Sequence, residues 1–230
     1  MPLLWIASFP RSGSALTRTI LWQCFGLHVS QSGPNREDKP DARDKTDSLS
    51  AFMGPRRFDP GTPLEAMVAA AEACAELVAI KTHALPHRLP RPGAPALVIV
   101  RDGRPVMTSY ARFRTEVGGV ETGVRAVIRG EPRDWSEHVN AWLDHDAPKL
   151  LLRYEDLRIA RQEALDAIAA FLGRPQTGAF TATVEELRAI RPTHVRIASN
   201  EPGIAEVEAD HAGAFWRRHG ATMERLGYDR

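Results

Sequence analysis

The sequence predicts an α/β fold built on a parallel sheet, and three observations carry that expectation. Apolar runs such as Leu3–Leu4–Trp5–Ile6–Ala7 and Ala96–Leu97–Val98–Ile99–Val100 are short and continuous rather than alternating, the pattern of strands covered on both faces. Apolar residues at helical spacing fill the stretches between them. Strands and helices therefore alternate along the chain, which is the order a parallel sheet with crossover helices requires. The 230 residues fit one domain, residues 1–230, because domains usually hold about 100–200. A compact chain of this size buries roughly 70–75% of its unfolded surface and needs no disulfide or metal staple.

The first strand covers residues 3–7 and is ended by Pro10 and Gly13, after which Leu16, Ile20, Cys24 and Leu27 recur at helical spacing. Between Gln31 and Ser48 nine of eighteen residues are charged, in mixed sign and with Pro34 and Pro40 among them. That composition reads as a solvated loop or lid. An Ala-rich helix over about 63–76 leads into a second strand at 77–80. A Pro-rich bend at 86–95 precedes the third strand, 96–100. Pro105 sits where a first helical residue belongs, so 106–117 reads as helix. Asp134 with Glu137 makes a capping box for a helix reaching about 146. Residues 150–152 form a fourth strand, and a helix from about 161 stops at Gly173–Arg174–Pro175. Thr183 with Glu186 caps another helix, and a last amphipathic one covers about 213–226.

Composition excludes several function classes. With 30 Lys+Arg against 29 Asp+Glu the net charge is +1, too little for a nucleic-acid coat or a polybasic membrane peripheral. The balance is uneven, however. Residues 1–35 hold two basic residues and no acid, and 77–114 hold seven basic and one acidic, so these two stretches carry +8 and the remainder −7. Cys24 and Cys74 stand fifty residues apart with no CxxC or Cys/His spacing, which indicates a reducing, cytoplasmic setting. The apolar start lacks a basic n-region and meets Pro10–Arg11 too soon for a signal peptide. No run of about 18 apolar residues occurs that could cross a membrane. The Ala- and Arg-heavy composition suggests a GC-rich bacterial source.

The loop Ser8–Phe9–Pro10–Arg11–Ser12–Gly13–Ser14–Ala15 lies between a strand end and a helix start. Exposed backbone N–H groups and the positive end of the helix dipole meet there, which suits a phosphate. Gly13 allows close approach, Arg11 supplies charge, and Ser12 and Ser14 supply hydroxyls. An ordinary turn with Ser14 as N-cap is the plainer alternative. Set on the Walker pattern, Gly13 takes the second glycine, Ser14 the lysine position and Ala15 the magnesium-binding hydroxyl position. Both groups that handle a γ-phosphate and its metal are absent from those positions.

Strand alternation points Lys81 and His83 the same way at the carboxyl edge of the sheet, where α/β proteins bind ligands. An imidazole that takes a proton beside an ammonium that stabilises a leaving oxygen suits group transfer. A surface lysine and a hydrogen-bonded histidine is the plainer reading. His83 and His87 have HxxxH spacing, but Pro86 interrupts the helix such a pair needs and no third ligand is near, so no metal is expected. The third strand ends in Arg101, and Ser109 follows on the next helix, together a second anion site.

Phe9–Pro10–Arg11–Ser12–Gly13–Ser14 resembles the 5′-phosphosulfate loop of the sulfotransferase family. Lys81–Thr82–His83 resembles the family's triplet whose histidine is the general base. Arg101 with Ser109–Tyr110 matches the eight-residue spacing of its 3′-phosphate ligands. Leu152–Arg153–Tyr154–Glu155–Asp156–Leu157 resembles the segment whose tyrosine lies near adenine, and the final helix resembles the family's last. The motifs come in family order over nearly the whole chain.

The resemblance implies a three-layer P-loop-like α/β fold. It implies transfer of a sulfuryl group from 3′-phosphoadenosine-5′-phosphosulfate (PAPS) to a hydroxyl or amine, leaving 3′,5′-bisphosphoadenosine (PAP), without a metal. Arg11, Ser12, Gly13, Ser14, Ala15 and Leu16 would hold the 5′-phosphosulfate, Arg101 and Ser109 the 3′-phosphate, and Tyr154 would lie at the adenine. His83 would be the base, with Lys81 and Arg11 on the leaving phosphate. Three departures stand out. Ala15 and Leu16 replace a second hydroxyl and a stacking tryptophan, and Arg11 replaces the commoner lysine. The late R-K-G-x-x-G-[DE]-W clamp has no clean copy: Arg196 stands in for its arginine, and residues 201–210 carry four acids and no base. A P-loop kinase-like phosphotransferase using Arg11 and a nucleotide-binding relative without turnover remain the rivals. The expected partner is a small-molecule acceptor, met by residues 31–60 and 115–133 with Phe52, Phe58 and Phe113 as lining. Neither nucleic acid nor membrane is expected, and the sequence sets no oligomeric state.

Overall fold

The computed structural model describes residues 2–31, 52–55, 57–59, 61–159, 161–183, 185–186, 189 and 199–230. Strands β1 (Leu3–Ser8), β2 (Val29–Gln31), β3 (Val78–Thr82), β4 (Ala96–Val100) and β5 (Lys149–Arg153) form a parallel sheet in the order β2-β3-β1-β4-β5. The four expected strands are present. β2 is an addition, and it claims Gln31 from the expected loop by pairing it with Lys81. β3 runs further than expected because Ile6 and Ala7 of β1 pair with Lys81 and Thr82. The order turns back at β1, which has β3 on one side and β4 on the other. Ligands of such sheets bind beyond the carboxyl ends of the strands at that reversal.

Alternation along each strand divides the core into two layers. Leu3, Trp5 and Ala7 of β1 face one cluster with Val78, Ile80, Val98 and Val100, while Leu4 and Ile6 face the other with Ala79, Leu97 and Ile99. Helices α1 (Ser14–Phe25) and α7 (Gln162–Leu172) cover the second cluster through Ile20, Leu21, Leu165 and Ile168. The first cluster is covered by α2 (Leu64–Glu72), α3 (Gly103–Glu116), α5 (Trp135–Leu143) and α9 (Ala212–Arg225). Each fully buried Leu, Ile or Val contributes about 1.5–3 kcal/mol by leaving water. Two covered faces explain why the strands read as continuous apolar runs.

Helix ends follow their caps. α1 stops at Gly26 (φ 60°), where Leu27 N–H bonds back to the Leu21 carbonyl at 2.9 Å, so Leu27 lies beyond the helix. α3 begins earlier than expected because Asp102 caps it, accepting from Arg104 N–H at 2.9 Å. Pro105 is then third in the helix, where an N–H would go unbonded anyway. Asp134 caps α5 through Glu137 N–H as expected, and the helix ends at Leu143, short of 146. Thr183 and Glu186 make their reciprocal capping bonds, and most of the helix they open lies outside the described residues. Three helices were not anticipated: α4 (Val124–Ile128), α6 (Tyr154–Arg158) and α8 (Glu201–Asp210).

α8 is the acidic stretch 201–210, and two of its four acids have partners. Glu208 pairs with buried Arg104 at 2.8 Å, Arg104 also pairs with Asp102 at 2.8 Å, and Glu206 pairs with Arg112. The backbone of α8 lies so close to α3 that a Cβ on Gly203 would fall 2.7 Å from Pro105 Cα. Among the described residues no helix is long and apolar enough to cross a membrane.

Candidate active site at the carboxyl edge of the sheet

The loop from β1 to α1 is bent by two left-handed residues, Arg11 (φ 71°) and Gly13 (φ 105°). Arg11 is the only non-glycine residue at positive φ among those described. Such a backbone costs of order 1–3 kcal/mol and persists only where its surroundings fix it. Here they do. The Arg11 carbonyl accepts from Arg101 Nη1 at 3.0 Å, its Nε donates to Ser109 Oγ at 3.0 Å, and its guanidinium lies 5.2 Å from the Phe113 ring centroid. Gly13 has no room for a side chain, since a Cβ would meet Tyr154 Cδ2 at 2.5 Å.

Gly13, not Ser14, is the N-cap of α1. No side chain caps the first turn and no acid lies in it. The first-turn amides of Ser14, Ala15 and Leu16 and the positive helix end are therefore presented uncapped. Ser12 is 1% exposed, and its hydroxyl has no hydrogen-bond partner. A buried hydroxyl left unmet costs about 1–3 kcal/mol, a cost that an acceptor placed against it would remove. An anion oxygen fits each of these features.

β3 delivers Lys81 and His83 beside this loop. Lys81 Nζ donates to Gln31 Oε1 at 3.3 Å. His83 Nδ1 lies 2.6 Å from the Ser8 carbonyl oxygen, which can only accept, so Nδ1 carries the proton and Nε2 keeps its lone pair. Burial holds the His83 pKa well below the usual 6.5, with the Lys81 ammonium adding to the effect and the Ser8 bond opposing it. The ring is neutral at physiological pH. A second histidine, His138 on α5, is 5% exposed, meets the edge of Phe9, and has no partner for Nε2. Its burial, with help from Arg133, pushes its pKa down to about 3.

β4 delivers Arg101, and α3 delivers Ser109. Arg101 is 9% exposed and its guanidinium lies 4.3 Å from the Tyr154 ring centroid. Nε and Nη2 both donate to Asn200 Oδ1, at 2.9 and 2.7 Å. Asn200 in turn donates to Glu155 Oε1 at 2.7 Å, and Tyr228 donates its hydroxyl to Glu155 Oε2 at 2.7 Å. Arg101 has no carboxylate within ion-pair distance among the described residues.

All the sequence-derived site residues that are described gather at this edge: Arg11, Ser12, Gly13, Ser14, Ala15 and Leu16 on one loop and helix start, with Lys81, His83, Arg101, Ser109 and Tyr154 around it. Arg196 lies outside the described residues, as does most of 31–60. Phe113 is part of the site through Arg11, whereas Phe58 packs against the core. His87 is in a 3₁₀ turn, Pro86–Arg88. Sequence reasoning missed Asn200, His138 and Tyr228, and it quoted Glu155 without giving it a role.

The chain matches the family described as "Sulfotransferase domain" over residues 2–206. No curated protein sequence matches it. Among solved structures it resembles mouse sulfotransferase SULT7A1 complexed with PAP, with a TM-score of 0.65 at 15% identity over 94% of this chain and 83% of that one. Retinol dehydratase in complex with androsterone and inactive cofactor PAP gives 0.64 at 15% identity, covering 96% and 80%. The sulfotransferase domain from the Synechococcus PCC 7002 olefin synthase gives 0.62 at 18%, covering 100% and 96%. At these identities the structural likeness establishes the P-loop-like fold, a parallel five-stranded sheet between helical layers.

Proposed function

The chain belongs to the sulfotransferase family, and we propose that it moves a sulfuryl group from PAPS to a hydroxyl or amine of a small-molecule acceptor with His83 as general base. The observation that carries this reading is the protonation of His83. With its Nδ1 proton given to the Ser8 carbonyl, the ring is neutral and Nε2 is the atom able to take a proton. The uncapped start of α1, the unmet hydroxyl of Ser12 and the charge of Arg11 favour an anion beside that base. Two N–H donors of buried Arg101 without partners among the described residues favour a second one, since three of a guanidinium's five are taken.

When bound, PAPS supplies an electrophilic sulfur joined to a good leaving phosphate. Nε2 of His83 takes the acceptor proton as the acceptor oxygen or nitrogen bonds to sulfur. The bond from sulfur to the 5′-phosphate oxygen breaks, and the charge left on that oxygen falls to Lys81 and Arg11. The two rivals have less support. Ser14 and Ala15 occupy the Walker lysine and metal-hydroxyl positions, which disfavours a kinase.

Labelled-sulfate transfer to pooled acceptors, read by mass spectrometry, tests the reading. His83→Ala is expected to lower transfer by about 10²–10⁴-fold while calorimetry shows PAP binding retained. An unchanged rate would remove His83 as the base. Binding of ATP in preference to PAP would overturn the donor, and donor binding without transfer to any acceptor would favour the silent relative.

A further inference from the structure

The guanidinium of Arg101 is held by a chain of neutral and acidic groups that ends at the C-terminal tail. Asn200 Oδ1 accepts from both Nε and Nη2 of Arg101. The orientation of that carboxamide is not free, because Nδ2 donates to Glu155 Oε1. Glu155 is fixed in turn by Tyr228 Oη on one oxygen and by the Asp102 amide, at 3.3 Å, on the other. Arg153 stacks 4.1 Å from the Tyr228 ring centroid and donates to the Leu226 carbonyl at 3.1 Å, securing the tail. Burial pulls the Arg101 pKa below its ordinary value, and Tyr154, Glu155 and Asp102 offset this only in part.

Resting on the donor reading above, we propose that Asn200 is a positioning residue for the 3′-phosphate subsite: it fixes one edge of Arg101 so that the two remaining N–H donors meet the donor's 3′-phosphate. Two arguments favour a fixed support over a loose occupant that the phosphate would displace. Removing the carboxamide from Arg101 would also strip Glu155 Oε1 of its Asn200 bond, leaving a partly buried carboxylate short of a donor. And the amide is neutral, so it orients the guanidinium without cancelling the charge that an anion needs. A carboxylate at this position would do the opposite on both counts, pairing with Arg101 and lying against Glu155. The residue therefore serves here beside a late segment that lacks the family's glycines.

The test uses a pair of ligands that differ only in the 3′-phosphate, PAP and 5′-AMP, titrated calorimetrically into the full chain. The wild type is expected to prefer PAP. Asn200→Ala should weaken PAP by about tenfold, as for loss of one oriented charge-assisted contact, and leave 5′-AMP within about twofold. Asn200→Asp leaves no cavity, because the two side chains have the same shape, and it should abolish the preference for PAP altogether. A change in folding alone would move both ligands together, which the ratio cancels. If either variant bound PAP as tightly as the wild type, or more tightly, the positioning role would be overturned. If the wild type itself did not distinguish PAP from 5′-AMP, the donor reading would fail, and this inference with it.

Discussion

A carbonyl oxygen cannot donate, so the 2.6 Å contact from Ser8 decides which nitrogen of His83 keeps its lone pair. Charge then decides over what pH range the ring stays neutral. Burial and the Lys81 ammonium both disfavour the imidazolium, so His83 stays neutral to lower pH than an ordinary histidine. The sign of the pH dependence follows. With His83 as the proposed base, transfer requires the neutral ring, so the acid limb of kcat/KM is expected below pH 6.5, the unshifted value. Lys81→Met removes the largest of the charge effects that depress it. Its kcat is expected to fall, because the proposed reading also sets the ammonium on the leaving group, and its acid limb should move up toward 6.5. A limb that stays in place would mean that Lys81 does not reach His83. At this scale the sequence was informative. Arg11, Gly13, Lys81, His83, Arg101 and Ser109 each sit at a spacing that places them on a strand end or helix start. Asn200 was not legible because its partner is 99 positions away and no local pattern marks it.

The elements were legible where periodicity or a cap was strong. Four strands, α1, α2, α3, α5, α7 and α9 announced themselves. β2, at three residues, is too short for any period to register. α8 was hidden by its own sequence, since Pro202 and Gly203 read as breakers and four acids read as a solvated run. Its helical state comes from outside: Pro202 sits in the first turn, where it is tolerated, and Arg104 and Arg112 of α3 take Glu208 and Glu206. Gly203 is there for contact, not flexibility. Its substitution by alanine would set a Cβ 2.7 Å from Pro105 Cα and 2.8 Å from Thr108 Oγ1. Helix propensity alone favours that change by about 1 kcal/mol, yet the backbone clash should reverse the sign. Urea unfolding is expected to show Gly203→Ala destabilised by about 1–3 kcal/mol, and a stabilised variant would mean that α8 does not sit this close.

Across the whole molecule, four of the described histidines share one property. Burial lowers the pKa of His83, His138, His219 and His28, the last to about 4 with Arg18 and Arg57 assisting. Each binds a proton more readily when unfolded, so stability is full above about pH 6.5 and declines as the pH falls through the window toward the folded values. For His138, folded pKa about 3, the decline is about 1.4 kcal/mol per pH unit below 6.5. His138→Phe keeps the ring against Phe9 and removes the proton site. Unfolding free energies at pH 7.5 and pH 5 should therefore lie closer together in the variant by about 2 kcal/mol, and equal gaps in both proteins would show that His138 is not buried neutral. The parallel sheet carries a further consequence, for the order of events in folding. Its register joins Val29 to Ala79, Ala96 to Lys149, Leu3 to Val78 and Trp5 to Ala96, so every strand pair closes a loop of some fifty residues or more. Among the described residues no hairpin joins two strands of the sheet to nucleate it. Loop closure must be met before any ladder forms, which places the chain among slow folders with high contact order. Because the loop after β1, the end of β3 and the end of β4 converge only when β1 has both neighbours, the binding edge is among the last surfaces of the nascent chain to exist.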